Sequence, residues 1–306
     1  MKKILFSIVL LCTVCTVYAQ KLTVASYNIR VENANDEKQG DGWKQRYPIV
    51  CQLIKFNDFE IFGAQEVREG QLADMLSELP EYAYVGVGRN DGLKSGEYSP
   101  VFYKKDKFKL LKEGTFWLSE TPDAPSLGWD AAYPRVCSWG YFKDKESGLK
   151  FWFMNLHMDH KGVEARKESA KLVLKKIQEM CGKDPVILTG DFNVDQHNES
   201  YQLLESSPLL KDSYEEAEIC YAPNGTFNNF KANNFSDSRI DHIFVSPFFT
   251  VKRYGILTDT YRTEIVNEEA VTSENFPKEV SLTKYTARVP SDHFPIKVVL
   301  EFKKKK

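Results

Sequence analysis

Short apolar runs alternate with polar loops along most of the chain, and two stretches carry a helical period instead. Residues 43–54 form one. Residues 163–180 form the other: Leu172, Val173, Ile177 and Met180 fall on one face, lysines and glutamates occupy the rest, and Gly182 supplies a stop. The apolar runs are rich in β-branched and aromatic residues and read as strands. They cover residues 22–27 ending at Asn28, 61–64 ending at Gln65-Glu66, and 150–155 ending at His157. Three more cover 186–189 ending at Gly190-Asp191, 240–245 with Asp241 near its start, and 294–302 directly after Asp292-His293. A polar, chemically capable residue at the mouth of so many strands predicts a pole of a sheet structure where acids, amides and imidazoles gather, as functional groups do on rigid scaffolds.

The first nineteen residues stand apart. Lys2 and Lys3 precede an apolar stretch from Ile4 to Val17, and Val17-Tyr18-Ala19 ends in the small residue that a signal peptidase reads. The stretch falls short of the about 20 residues a membrane span needs. The expectation is therefore a signal peptide over 1–19, an exported protein (periplasmic or secreted) and one domain over 20–306, with no transmembrane segment in the mature chain. The chain is 42% hydrophobic and 27% charged, enough for a sizeable core. Lys2 and Lys3 leave with the leader, so the mature chain carries 39 basic against 43 acidic side chains, a balance of −4. That is no electrostatic footprint for gripping a nucleic-acid backbone. Cys51, Cys137, Cys181 and Cys220 are widely spaced without a CxxC pair, which excludes zinc-ribbon spacing and leaves disulfide pairing open.

The candidate chemistry follows from residue types. In Gly190-Asp191-Phe192-Asn193 the glycine allows a tight turn that presents an acid and an amide two positions apart. The acid can hold a hard cation or take a proton from water, and the amide can donate to a developing oxyanion. Glu66 is an oxygen ligand of the hardness magnesium prefers. Asp292 places a second such oxygen beside His293, whose ring needs a carboxylate partner to fix its tautomer; Asp241 is the candidate. His157 adds a donor for phosphate oxygens.

In this order, Asn28, Gln65-Glu66, Asn155-Leu156-His157, Gly190-Asp191-Phe192-Asn193, Arg239-Ile240-Asp241 and Ser291-Asp292-His293 resemble the endonuclease/exonuclease/phosphatase superfamily. That group includes deoxyribonucleases, apurinic endonucleases, inositol polyphosphate 5-phosphatases, neutral sphingomyelinases and deadenylases. Gly96-Glu97-Tyr98-Ser99-Pro100 and Phe116-Trp117-Leu118-Ser119 look like a bacterial branch of it. The resemblance implies a four-layer α/β/β/α sandwich of two mixed β-sheets flanked by helices. It implies a Mg2+-dependent phosphoesterase (Mn2+ as a substitute) with the metal on Glu66, Asn28 and Asp292. Asp191 would position or deprotonate the water, Asn193 and His157 would steady the phosphate, and His293 paired with Asp241 would stabilise the charged transition state or protonate the leaving group. Attack would be in line, without a covalent enzyme intermediate. Two positions depart from the pattern: Arg30 stands where an acid or amide is common, and His242 where a tyrosine is. Arg89 and Tyr98 look placed to touch substrate.

Two other readings compete. His157-Met158-Asp159-His160 resembles part of a zinc hydrolase motif, although Asn155 stands where its first histidine belongs and the whole chain has five histidines. Alternatively, Trp117, Trp129 and Trp139 would form the platform of an exported, non-catalytic binding protein. The mild acidity and the acidic stretch 264–279 favour a small phosphorylated sugar, lipid headgroup or nucleotide over a nucleic acid, and a monomer is expected. Residues 258–290 form a long connection before Asp292, and loops of that length in a domain are often functional; this one is expected to help wall the pocket.

Overall fold

The computed structural model describes residues 20–265, 277, 279, 280, 282 and 284–302. Residues 1–19, where a signal peptide is expected, and most of the acidic stretch lie outside the described residues. In chain order the elements are β1 (Gln20–Asn28), α1 (Ala34–Lys38), α2 (Trp43–Phe56), β2 (Ile61–Gln65), α3 (Glu69–Glu78), β3 (Tyr82–Val85), β4 (Val101–Lys104), β5 (Phe108–Trp117), β6 (Val136–Asp144) and β7 (Lys150–His157). There follow α4 (Val163–Cys181), β8 (Val186–Asp191), α5 (Glu199–Glu205), β9 (Lys211–Asp212), β10 (Ile219–Tyr221), β11 (Asp241–Val245), β12 (Thr250–Ile256), β13 (Tyr261–Glu264), β14 (Tyr285–Arg288) and β15 (Ile296–Phe302).

The strands form two mixed sheets. One runs β10-β12-β15-β1-β2-β4-β3 and the other β5-β6-β7-β8-β11-β9. Phe151, Phe153, Ile187 and Ile243 of the second sheet meet Leu22, Val24, Ile61 and Val298 of the first in one buried cluster between the sheets. The outer face of the first sheet packs on Val50, Ile54, Leu72 and Met75 of α2 and α3. The outer face of the second packs on Ala170, Val173, Ile177 and Leu204 of α4 and α5. The four layers are therefore helix, sheet, sheet, helix, the sandwich that the family resemblance implied. The α4 face is the one its 3.6-residue period specifies, and Gly182 takes a left-handed φ of 59° just past its end.

Polar side chains also bridge the two sheets. Asn155 on β7 donates from Nδ2 to the carbonyls of Ala64 (2.7 Å) and Pro100 (3.0 Å), while its Oδ1 accepts from Gln65 Nε2 (2.7 Å) and Thr189 Oγ1 (3.0 Å). Gly63 sits opposite, where a Cβ would overlap Asn155 and Thr189 side-chain atoms. This close approach sets the sheets' separation just below the strand ends that carry the site.

The connection 258–290 contributes the antiparallel hairpin β13–β14. Arg288 ties it to Asp41 at 2.7 Å. None of its described residues lines the central cavity, contrary to the expectation that it walls the pocket. The hairpin turns to pack beside the loop after α1 instead, and residues 266–276 lie outside the described residues. Cys51, Cys137 and Cys181 are buried and Cys220 is exposed; all four are unpaired.

Candidate active site

β1 and β2 run parallel, as do β7 and β8, so their C-terminal ends point to one pole; β11 runs antiparallel to β8 and brings its first residue, Asp241, opposite Asp191. The chain leaves these strands through left-handed backbone at Arg30 (φ 60°), Glu66 (φ 62°) and Asn193 (φ 51°). Such φ values are uncommon for long side chains and cluster where a site fixes the backbone. Here they aim side chains into a cavity of about 440 Å³. Glu66, His157, Asp191, Asn193, Asp292 and His293 all line it.

Asp191 is at its centre. Its Oδ2 lies 3.5 Å from His157 Nε2 and 3.8 Å from His293 Nε2. His293 Nδ1 is 2.8 Å from Asp241 Oδ2, the carboxylate partner the sequence suggested, so the second ring nitrogen faces Asp191. The two histidines are set to opposite states. Burial, reinforced by Arg135 and Arg89, pushes His157 well below the usual imidazole range, so it is neutral. Burial opposes the charged form of His293 too, but the carboxylates of Asp241 and Asp191 overcome it and hold the ring protonated. Burial and the nearby Asp241 charge raise Asp191 to about 7. Paired groups pushed apart in this way divide acid and base roles.

Asn28 lies beneath. Its Oδ1 accepts from the Arg30 amide at 3.0 Å, which turns Nδ2 toward Glu66 (3.1 Å) and Asp191 (2.9 Å). Expected as a metal ligand, it presents N–H to the site and brackets the two carboxylates. The second oxygen of Glu66 accepts from the Val31 amide at 2.9 Å. Arg30, the departure from the pattern, sits with Nη1 3.4 Å from Asp292 and Nε 2.9 Å from Asp36. Asn193 donates from Nδ2 to the Met158 carbonyl at 2.9 Å while lining the cavity. Behind this layer Arg46 of α2, wholly buried, donates to the carbonyls of Asp41, Ile29, Pro290 and Arg30 at 2.6, 2.8, 2.8 and 3.3 Å.

The donor set fits a hard divalent cation. Glu66, His157 and Asp191 offer ligand atoms within 4.8 Å of one another, as do Asp191, Asp241 and His293. Burial and the Glu66 charge push Asp292 upward, the signature of carboxylates crowded without enough positive charge. Oxygen predominates, which suits magnesium or manganese. The zinc motif does not assemble: Asp159 accepts from the Lys161 and Gly162 amides (2.9 and 2.8 Å) and pairs with Arg135, and neither it nor His160 joins a ligand group among the described residues.

Two other expectations change. Tyr98 is buried against Val67, Leu72 and Phe102 and bonded through its amide to the Val67 carbonyl (2.7 Å), so it does not line the cavity. Alternation along the Val67–Tyr98 bridge turns the Tyr98 ring to the core while Glu97 beside it turns to the cavity. Of the tryptophans expected to form a platform, Trp117 is buried with its Nε1 on the Arg89 carbonyl at 2.7 Å, Trp139 packs on Trp152, and Trp129 is half-buried. Arg89 does line the cavity, locked to Glu97 by two bonds of 2.7 and 3.0 Å. His242 points the other way along β11, packing on Phe192 and Tyr201 with Nε2 on the Val194 carbonyl (3.0 Å). Tyr133, Arg135, Phe227 and Asn229 line the cavity without having been singled out.

Residues 25–293 match the Endonuclease/Exonuclease/phosphatase family, and the chain belongs to it. Its members hydrolyse phosphoester bonds and typically depend on a divalent metal. The chain is similar to a structure of an endonuclease/exonuclease/phosphatase family protein from Bacteroides thetaiotaomicron, with 56% identity, 93% of this chain and 99% of that one covered, and a TM-score of 0.86. It is 55% identical to the mannosyl-6-phosphatase of Bacteroides thetaiotaomicron VPI-5482, covering 92% of this chain and all of that one at a TM-score of 0.84. An uncharacterized protein of Acanthamoeba polyphaga mimivirus is 28% identical over 273 residues, which are 85% of this chain and 92% of its own.

Proposed function

We propose that the protein is a magnesium- or manganese-dependent phosphomonoesterase that releases inorganic phosphate from a small phosphorylated sugar. The observation that carries this reading is Asp191, one carboxylate oxygen facing His157 Nε2 and the Nε2 of an Asp241-held His293, with Glu66 and Asp292 in the same cavity. Cavities of this size suit a small molecule, and the 55% identity to a mannosyl-6-phosphatase points to a sugar monoester.

Glu66 and Asp292 would hold the ion in this reading, and it would supply positive charge for the phosphate oxygens and acidify water. Asn28 keeps Glu66 and Asp191 at a fixed separation. Asp191 takes the proton of a water that attacks phosphorus in line, as the bond to the sugar oxygen breaks on the far side and that oxygen takes up a proton from solvent. His293 donates from Nε2 to a phosphate oxygen as charge builds, His157 adds a neutral donor, and Asn193 holds the Asp191 loop. Products are the free sugar and inorganic phosphate. The apolar leader at residues 1–19 suits a substrate met outside the cytoplasm.

The test is phosphate release from mannose 6-phosphate in magnesium, with bis(p-nitrophenyl) phosphate as the diester control. Wild type is expected to turn over the monoester and to lose activity in EDTA. Glu66→Ala and His293→Ala are expected to lose about 100-fold or more in kcat, as removal of a group that acts on transition-state charge does. Hydrolysis of the diester alone, or tight binding of the monoester without turnover, defeats the proposal.

A further inference from the structure

One wall of the cavity is built differently from its floor. The floor is a cluster of carboxylates. On the wall, Glu97, Arg89, Tyr133, His160, Arg135 and Asp159 form a contact series. Arg89 carries Glu97 as a two-bond partner and lies 5.3 Å from the Tyr133 ring centre. Tyr133 stacks on His160, with ring centres 5.9 Å apart and planes 14° from parallel. Arg135 Nη2 donates to His160 Nδ1 at 3.0 Å, leaving the ring proton on Nε2, and Arg135 Nε pairs with Asp159 at 3.2 Å.

Three properties of this series point to a ligand. Each guanidinium already has a carboxylate, so the wall is close to neutral although two arginines stand in it. Tyr133 is 51% exposed, an aromatic ring buttressed from behind and open to the cavity mouth. Arg135, only 4% exposed, keeps Nη1 buried with no hydrogen-bond partner. A buried donor without an acceptor destabilises a fold unless something else uses it.

We infer that this wall is the leaving-group subsite and that it selects an uncharged, hydroxyl-bearing ring carrying a single phosphate. The inference rests on the phosphomonoesterase reading. A sugar ring lies against Tyr133, whose position Arg89 and His160 fix. Arg135 Nη1 is closed off behind the wall, and a small shift of the guanidinium lets it donate to a sugar oxygen, directly or through one bridging water. A second phosphate finds no free positive charge here, because Glu97 and Asp159 neutralise both arginines, so a bisphosphate is discriminated against. Tyr133 and Arg135 are then specificity-determining residues.

Tyr133→Ala removes an exposed ring and does not threaten folding; Arg135→Lys keeps a positive charge opposite Asp159 while removing the guanidinium fork. Phosphate release is measured on mannose 6-phosphate, fructose 1,6-bisphosphate and p-nitrophenyl phosphate. Both variants are expected to lose about 10- to 100-fold in kcat/KM on mannose 6-phosphate, mainly through KM, the range for one hydrogen bond to a charged donor. On p-nitrophenyl phosphate, whose leaving group has no sugar hydroxyls, the loss is expected to be at least about threefold smaller than on mannose 6-phosphate. Wild type is expected to disfavour the bisphosphate. Equal losses on both monoesters, no loss on the sugar, or a wild-type preference for the bisphosphate overturns the assignment. If wild type hydrolyses none of the three, the phosphomonoesterase reading fails. Titration calorimetry of mannose 6-phosphate in calcium then tests the wall separately: weaker binding by both variants supports it, and unchanged binding overturns it.

Discussion

Single residues divide here between those that face the cavity and those that hold them. Asp159 belongs to the second group. Burial disfavours its charge, but the Gly162 and Lys161 amides and Arg135 more than compensate, holding the carboxyl well below its usual range. A folded-state value below the unfolded one means that its contribution to stability is complete above the unfolded pKa of about 4 and is lost as pH falls below it. Urea midpoints measured from pH 6 down to pH 3 are expected to fall steeply for wild type. In Asp159→Asn the midpoint should start lower and decline less; parallel curves would show that Asp159 does not couple folding to protons. The residues that sequence reasoning found, Glu66, His157, Asp191, Asp292 and His293, share a visible signature: a chemically capable side chain just beyond an apolar strand, or just before one. Arg135 escaped although it carries the same signature at the entrance of β6. That strand runs antiparallel to β7, so its first residues reach the pole where β7 ends. Only the pairing of strands reveals this. Tyr133 and Phe227 lie on loops, where no periodicity reports which way a ring turns.

At the scale of elements, the helices were legible where one face was apolar, and α2 and α4 lie within a few residues of where the pattern puts them. The order of strands within each sheet was not legible, because pairing depends on contacts remote in the chain. Asn155 illustrates the difficulty. In sequence it belongs to a motif beside His157, yet its amide joins two sheets and lies below the cavity. Asn155→Leu would take one buried hydrogen bond each from Gln65 Nε2, which keeps Ser26 Oγ, from the Pro100 carbonyl, which keeps the Ala64 amide, and from the Ala64 carbonyl. The expected loss of folding stability is about 3 kcal/mol or more, read from urea unfolding. A loss below about 1 kcal/mol, the worth of one ordinary hydrogen bond, would mean that the sheets close without this bridge.

For the molecule as a whole, the crowded carboxylates make folding and ion binding one equilibrium. An ion that binds only the folded chain stabilises it by about 2.7 kcal/mol at a hundredfold excess over Kd. Millimolar magnesium or manganese is therefore expected to raise the thermal midpoint relative to EDTA by several degrees, and Glu66→Ala should erase most of that rise. A midpoint indifferent to either ion would exclude the carboxylate cluster as a cation site.

Arg46 ties the Pro290 carbonyl, 244 positions further along the chain, to those of Ile29, Arg30 and Asp41, and it does so entirely through main-chain oxygens. A lysine has no planar fork with which to reach several carbonyls at once. The gap between the turn leaving β1 and the turn entering β15 is thus gauged by one rigid spacer anchored on α2. A change that tilts α2 is therefore expected to shift the turns that carry Asn28 and Asp292 from the back of the molecule, without altering a group that lines the cavity.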